Sequence, residues 1–202
     1  MKIKPYFPLV LILFFQCCSK VPKDDVNLLG EEDIDSTSLT NIRDQLAQTI
    51  PLTSEELGSF FPMEVGDFLR NQLLGGQNER IGVSSVVSEF THRIDSSKHV
   101  YVELLDGAGV NGSIFLLSSM GRLRENFEEI NSTERIRVFF HEGYRGFLKE
   151  TFQDSSLEYE LIYENRFRVK FHSKRIGKDE LVNFIHEYPL AFFCDSVEII
   201  EQ

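Results

Sequence analysis

Between positions 107 and 112 the chain reads Gly107-Ala108-Gly109-Val110-Asn111-Gly112, a G-x-G-x-x-G run of the kind that lets a backbone close on a pyrophosphate. In such a site the glycines remove Cβ atoms that would obstruct the phosphates, and the amino end of the following helix attracts their charge. The run does lie between a predicted strand and a predicted helix. Its surroundings argue against dinucleotide chemistry. The preceding strand carries His99 and Glu103, whereas the first strand of a dinucleotide site is buried on both faces. The chain downstream reads as hairpins, not as repeated strand–helix–strand units. Glu142, the candidate ribose partner, falls about 30 residues beyond Gly112, where about 20 is usual. The expectation is a turn in which Asn111 or Ser113 caps the next helix. No cofactor is expected.

Other reactive side chains give no assembled chemistry. The histidines, His92, His99, His141, His172 and His186, form no HExxH or tight His-Cys cluster. His99, His141 and His172 share the outward parity of their strands, and single exposed histidines are the plainer reading. No G-x-S-x-G elbow or phosphate-binding Walker loop is present, and the carboxylates show no readable pair spacing for glycoside hydrolysis. Three cysteines occur, Cys17, Cys18 and Cys194. Adjacent cysteines bridge each other only with strain, and Cys194 sits in the apolar run Ala191-Phe192-Phe193-Cys194 as a small hydrophobe. No internal disulfide, metal centre or catalytic set is expected.

The informative cysteines are the first two. Lys2 and Lys4 form a basic start, and residues 6–15 are almost unbroken apolar sequence, much shorter than the roughly 20 residues that span hydrocarbon. That combination reads as a secretory signal. Leu13-Phe14-Phe15-Gln16-Cys17-Cys18-Ser19 resembles the lipobox of bacterial lipoproteins, in which a small residue precedes an obligatory cysteine. Cleavage before Cys18 leaves the small Cys17 at that position, so residues 1–17 are the expected signal peptide and Cys18 the lipidated residue. Phe15 and Gln16 depart from the usual Leu and Ala or Ser. The resemblance implies a diacylglyceryl anchor, and two or more acyl chains hold a protein stably where one does not. Ser19-Lys20-Val21-Pro22-Lys23-Asp24-Asp25 is similar to the lysine-then-acidic export signals of surface lipoproteins in Bacteroidota-type bacteria. Asp35-Ser36-Thr37 resembles their short O-glycosylation site. The implied location is an outer membrane, on its periplasmic side or at the cell surface.

Residues 18–38 are polar and acidic and read as a solvated tether, reaching roughly 25 Å on average. Residues 39–202 are expected to form a single domain. Net charge is −11, and loss of Lys2 and Lys4 leaves 19 basic against 32 acidic side chains. Such a field repels phosphate backbones, so nucleic acid is not an expected partner. With 42% hydrophobic residues, 18 Phe and no Trp, the chain can bury an ordinary core.

Within the domain, Leu39, Ile42 and Leu46 have helical spacing before Pro51, and Thr53-Ser54-Glu55-Glu56 has the capping-box pattern. Strands are predicted at 83–91, 99–105, 135–141, 146–152, 157–163 and 167–171, from alternation. Helices are predicted from Leu116, Met120, Leu123, Phe127 and Ile130, and from Leu181, Phe184, Ile185 and Tyr188. Placing Tyr163 opposite Phe167 leaves the turn Glu164-Asn165-Arg166 and sets Glu160 across from Lys170. The fold class is α+β: an antiparallel sheet with two main helices on one face, preceded by short amino-terminal helices. Phe61-Pro62-Met63-Glu64-Val65, the strand from Gly82 and the segment from Val100 to Asp106 resemble exported bacterial proteins with no established activity. That resemblance covers about 50 residues and implies the fold class alone.

The face away from the helices should display His99, Tyr101, Glu103, Arg137, Phe139, Glu158, Glu160, Arg168 and Lys170, an aromatic and charged mixture suited to protein or envelope-component contact. The functional expectation is a membrane-anchored, non-enzymatic binding domain of the cell envelope. The alternatives are an envelope enzyme with an unfamiliar site and a carrier of small apolar ligands in a sheet-and-helix groove.

Overall fold

The computed structural model describes residues 36–76, 78–123, 126–141 and 144–190. The signal, Cys17, Cys18, most of the tether, Glu142 and Cys194 lie outside the described residues. Helix α1 (Ser36–Gln48) and the short α2 (Ser54–Ser59) precede strands β1 (Glu64–Val65), β2 (Phe68–Gly75), β3 (Ser85–His92) and β4 (His99–Asp106). Helix α3 (Gly109–Leu123) leads to β5 (Glu128–Ile130), β6 (Glu134–His141), β7 (Tyr144–Thr151), β8 (Leu157–Tyr163) and β9 (Phe167–Lys174), and α4 (Lys178–Glu187) follows. The strands form one sheet in the order β1-β2-β3-β4-β9-β8-β7-β6-β5. Every pairing is antiparallel. Two meanders, β1 to β4 and β5 to β9, are thus joined along β4 and β9, and the class is mixed α+β.

Local chemistry accounts for several elements. The capping box holds α2: the Glu56 amide donates to Thr53 Oγ1 at 3.2 Å and the Thr53 amide donates to Glu56 Oε2 at 2.7 Å. The Thr53 amide first, and then the Thr53 hydroxyl donating to the same Oε2 at 2.8 Å, hold the Glu56 carboxyl below its usual range. The β8–β9 hairpin has the register expected from side-chain parity, with Tyr163 opposite Phe167 and Glu160 opposite Lys170. Glu164 and Asn165 supply its positive φ angles, 50° and 51°. Phe127 and Ile130, expected on the α3 stripe, lie beyond its end at Leu123, with Ile130 in β5. Strand β2 has no counterpart in the sequence reading. Its residues Phe-Leu-Arg-Asn-Gln-Leu-Leu-Gly do not alternate, its register shifts between Arg70 and Gln72, and only Phe68 is buried.

The helices do not share a face. Leu181, Phe184 and Ile185 of α4 join Leu57 of α2, Val100, Val102, Val169, Phe171 and Tyr159 in one apolar cluster. Leu116, Met120 and Leu123 of α3 join Leu46 of α1, Phe147 and Ile162 in another. Ile162 lies between Leu161 and Tyr163 in β8, so alternation puts the two clusters on opposite sides of the sheet. Topology explains this. From β4 the chain must reach β5 by crossing β9, β8, β7 and β6, five strand spacings of about 4.8 Å, or about 24 Å. Helix α3, with 15 residues rising about 1.5 Å each, is about 22 Å long and makes that crossing on the face α4 leaves free.

The two-faced arrangement also corrects part of the expected outer face. Val138 pairs with Phe147, so Ile136, Val138 and Phe140 point towards the α1–α3 side. Arg137 and Phe139 therefore occupy the opposite face from His99, Tyr101, Glu103, Glu160, Arg168 and Lys170. Apolarity alone had assigned Ile136 and Val138 to the side of Val100 and Val102. With a helix on each side, apolar residues no longer mark a single side.

At the centre of the larger cluster the Tyr188 hydroxyl is buried without a hydrogen-bond partner among the described residues. Burial pushes its ionisation well above the ordinary phenol range. The neutral form is thus favoured in the fold, and the resulting stability is present below the unfolded pKa of about 10 and lost as pH rises above it. Tyr188→Phe should leave stability at pH 7 unchanged or slightly higher, because it removes a buried unpaired group. It should also make alkaline unfolding shallower, as read from urea midpoints between pH 7 and 11. A large loss at pH 7 would show that the hydroxyl has a partner.

Candidate interaction face

Helix α3 packs over β7 and β8, which leaves the β3–β4–β9 part of that face to polar side chains. Cross-strand register puts Glu89 beside Tyr101, Thr91 beside His99, Glu103 beside Lys170 and Tyr101 beside His172. Each of these residues is half-buried, shielded by long neighbours on adjacent strands.

The rings form a row. His99 stacks on Tyr101 with centroids 6.2 Å apart and planes 18° apart, and Tyr101 lies 6.1 Å from His172. Charged groups line both sides. His99 Nδ1 lies 2.8 Å from Glu89 Oε1, to which the Tyr101 hydroxyl donates at 3.3 Å. Burial first, and the Glu89 charge second, raise the ionisation of Tyr101 above the usual phenol value, so its hydroxyl remains a donor at neutral pH. Arg168 Nη2 donates to Glu103 Oε1 at 3.2 Å. Lys170 Nζ lies between Glu158 at 3.4 Å and Glu160 at 3.6 Å.

Seven of the nine residues read from sequence as the interaction face are therefore brought together: His99, Tyr101, Glu103, Glu158, Glu160, Arg168 and Lys170. Arg137 and Phe139 are not. On the other face, Arg137 reaches Glu150 at 3.6 Å and the Phe139 ring meets Tyr159 edge-on at 5.4 Å. The sequence reading did not include Glu89. Extending the parity rule to the β3–β4 hairpin would have found it, since Glu89 is the outward residue opposite Tyr101. Chemically the strip offers stacking surfaces flanked by four carboxylates, Glu89, Glu103, Glu158 and Glu160, and two cations, Arg168 and Lys170. Among the described residues no three His, Cys, Asp or Glu side chains are grouped to hold a metal.

The glycine-rich loop has a different task. At its head Asp106 is fully buried and receives four donors: the Leu52 amide at 2.8 Å, the Ala108 amide at 2.9 Å, and Arg166 through Nε and Nη2, each at 2.9 Å. The Gly107 amide donates to Arg166 O at 2.8 Å. A Cβ on Gly107 would stand 2.6 Å from that oxygen, and one on Gly112 would stand 2.8 Å from Asp106 O. These glycines serve close backbone packing, which ties the α1–α2 connection, the β4–α3 loop and the β8–β9 turn together. The strand before the loop pairs antiparallel on both sides, unlike the parallel sheet of dinucleotide sites. Neither expected cap acts as one: Asn111 Nδ2 donates to Ile81 O at 2.7 Å, and Ser113 Oγ donates to Val110 O at 2.9 Å.

No protein-family model matches the chain, and neither a curated protein nor a solved structure shows significant similarity to it.

Proposed function

We propose that this chain is an exported lipoprotein whose domain binds a protein or envelope component through the β3–β4–β9 face, without catalysing a reaction. The observation that carries the binding reading is the row of His99, Tyr101 and His172 flanked by Glu89, Glu103, Arg168 and Lys170. Flat aromatic surfaces bordered by charge suit macromolecular recognition, where rings supply contact area and charges set orientation. The anchor rests on the residues before Ser19: a basic start, a short apolar run and Cys18 behind a small residue. The acidic stretch after Cys18 would carry the domain clear of the headgroups.

Both halves can be tested in the producing cell. Cys18→Ala should abolish incorporation of labelled palmitate and shift the protein from the membrane to the soluble fraction. Unchanged membrane retention would refute the anchor. A photo-crosslinking residue at Tyr101 should trap an envelope partner that the same residue at Glu187, on the exposed side of α4, does not. Equal trapping at both positions would remove the face from the proposal.

A further inference from the structure

Where the β7–β8 turn approaches the amino end of α4, a cavity of about 590 Å³ opens, lined by Thr151, Phe152, Ser155, Leu157, Arg175 and Lys178 with their neighbours. It lies apart from the β3–β4–β9 strip. Its volume falls within the range of small-molecule sites. We propose that it binds a small organic anion, with the negative group held by Arg175 and Lys178 and the apolar body lying against Phe152, Leu157 and Ile176.

Charge is the first argument. In a protein of net charge −11, cations have carboxylates to choose from. Nevertheless, Arg175 and Lys178 form no ion pair among the described residues. The carboxylate on the cavity wall, Glu150, is engaged by Arg137 at 3.6 Å. That Arg137 keeps a buried Nε without a hydrogen-bond partner among the described residues. The Lys178 ammonium lies 5.5 Å from the centre of the Phe139 ring. A ring face holds a cation without neutralising it, so Lys178 remains available to an anion. Two cations with no ion-pair partner among the described residues, at one concave site, form a field that a negative group would satisfy.

Shape and lining are the second argument. An inorganic ion would fill a small part of this volume. Phe152 is half exposed and offers a ring, and Leu157 and Ile176 form a buried apolar wall. Thr151 and Ser155 belong to the same lining. The matching chemistry is a carboxylate or phosphate monoester on an aromatic or short aliphatic body. Such a ligand uses both the charge and the wall.

Calorimetric titration of the purified chain with phenyl phosphate, inorganic phosphate and benzyl alcohol separates the contributions. Phenyl phosphate should bind saturably and at least about tenfold more tightly than either of the others, as expected when a charge-assisted contact and an apolar contact act together. The Arg175→Gln/Lys178→Gln double variant should weaken phenyl phosphate by about tenfold or more, with an unchanged thermal midpoint because both side chains are exposed. Phe152→Ala should weaken phenyl phosphate and leave inorganic phosphate unaffected. The proposal is overturned if phenyl phosphate gives no saturable binding or if the double variant binds it as tightly as the parent. It is equally overturned if inorganic phosphate or benzyl alcohol matches phenyl phosphate.

Discussion

Arg166→Ala should lower the unfolding free energy by about 3–5 kcal/mol, because it strands a carboxylate that has left water. Asp106 is fully buried, and its guanidinium partner is also largely enclosed, with side-chain exposures of 0% and 14%. Removing Arg166 leaves the two amide donors of Leu52 and Ala108 to hold the charge. It also removes a cation lying 5.1 Å from the centre of the Phe167 ring. Urea unfolding followed by circular dichroism reads the loss as a lower midpoint at constant slope. Arg168→Ala is the informative control. Its pair with Glu103 is partly solvated, and surface pairs of that kind contribute about 0–1 kcal/mol. Equal losses in the two variants would mean that the Asp106 centre is not the latch described above.

Phe184→Ala should cost about 3–5 kcal/mol, the range for emptying an aromatic site in a packed core. The side chain is 2% exposed. Its ring meets Phe68 at 5.2 Å, Phe90 at 5.4 Å and Phe171 at 6.3 Å, so three strands and α4 share one aromatic centre. Edge-on geometry, near 90° against Phe68, adds favourable quadrupole contacts to the area removed from water. Phe152→Ala, at a half-exposed ring, should fall within about 1 kcal/mol of the parent. A loss below about 1 kcal/mol for Phe184 would show that α4 does not close this side of the sheet. The assignment of α3 and α4 to opposite faces would then fail with it.

Much of this architecture is local and therefore legible in the residues. Alternation in Val100-Tyr101-Val102-Glu103-Leu104 requires a strand with one dry face, and the parity of Leu157, Tyr159, Leu161 and Tyr163 against Phe167, Val169 and Phe171 fixes the hairpin register. Thr53 and Glu56 specify a helix start within four residues, because both bonds of the capping box are local. Strand β2 is not legible in this way. Its pairing with β3 is held by the backbone ladder, and exposed edge positions carry no required period.

What the sequence determined by itself, then, is the α+β class, the antiparallel hairpins, and the shared outward parity of His99, Tyr101 and Glu103. What only the tertiary structure decided is on which side each helix lies, and with that the positions of Arg137 and Phe139. A period of two sorts residues into two faces and says nothing about which face receives a helix. That choice came from the crossing between β4 and β5, a constraint set by strand order over the whole sheet. The same long-range assembly brought Leu52, Asp106 and Arg166 together, and put Arg175 and Phe152 on the lining of one cavity, from positions whose separation in the chain gives no local signal.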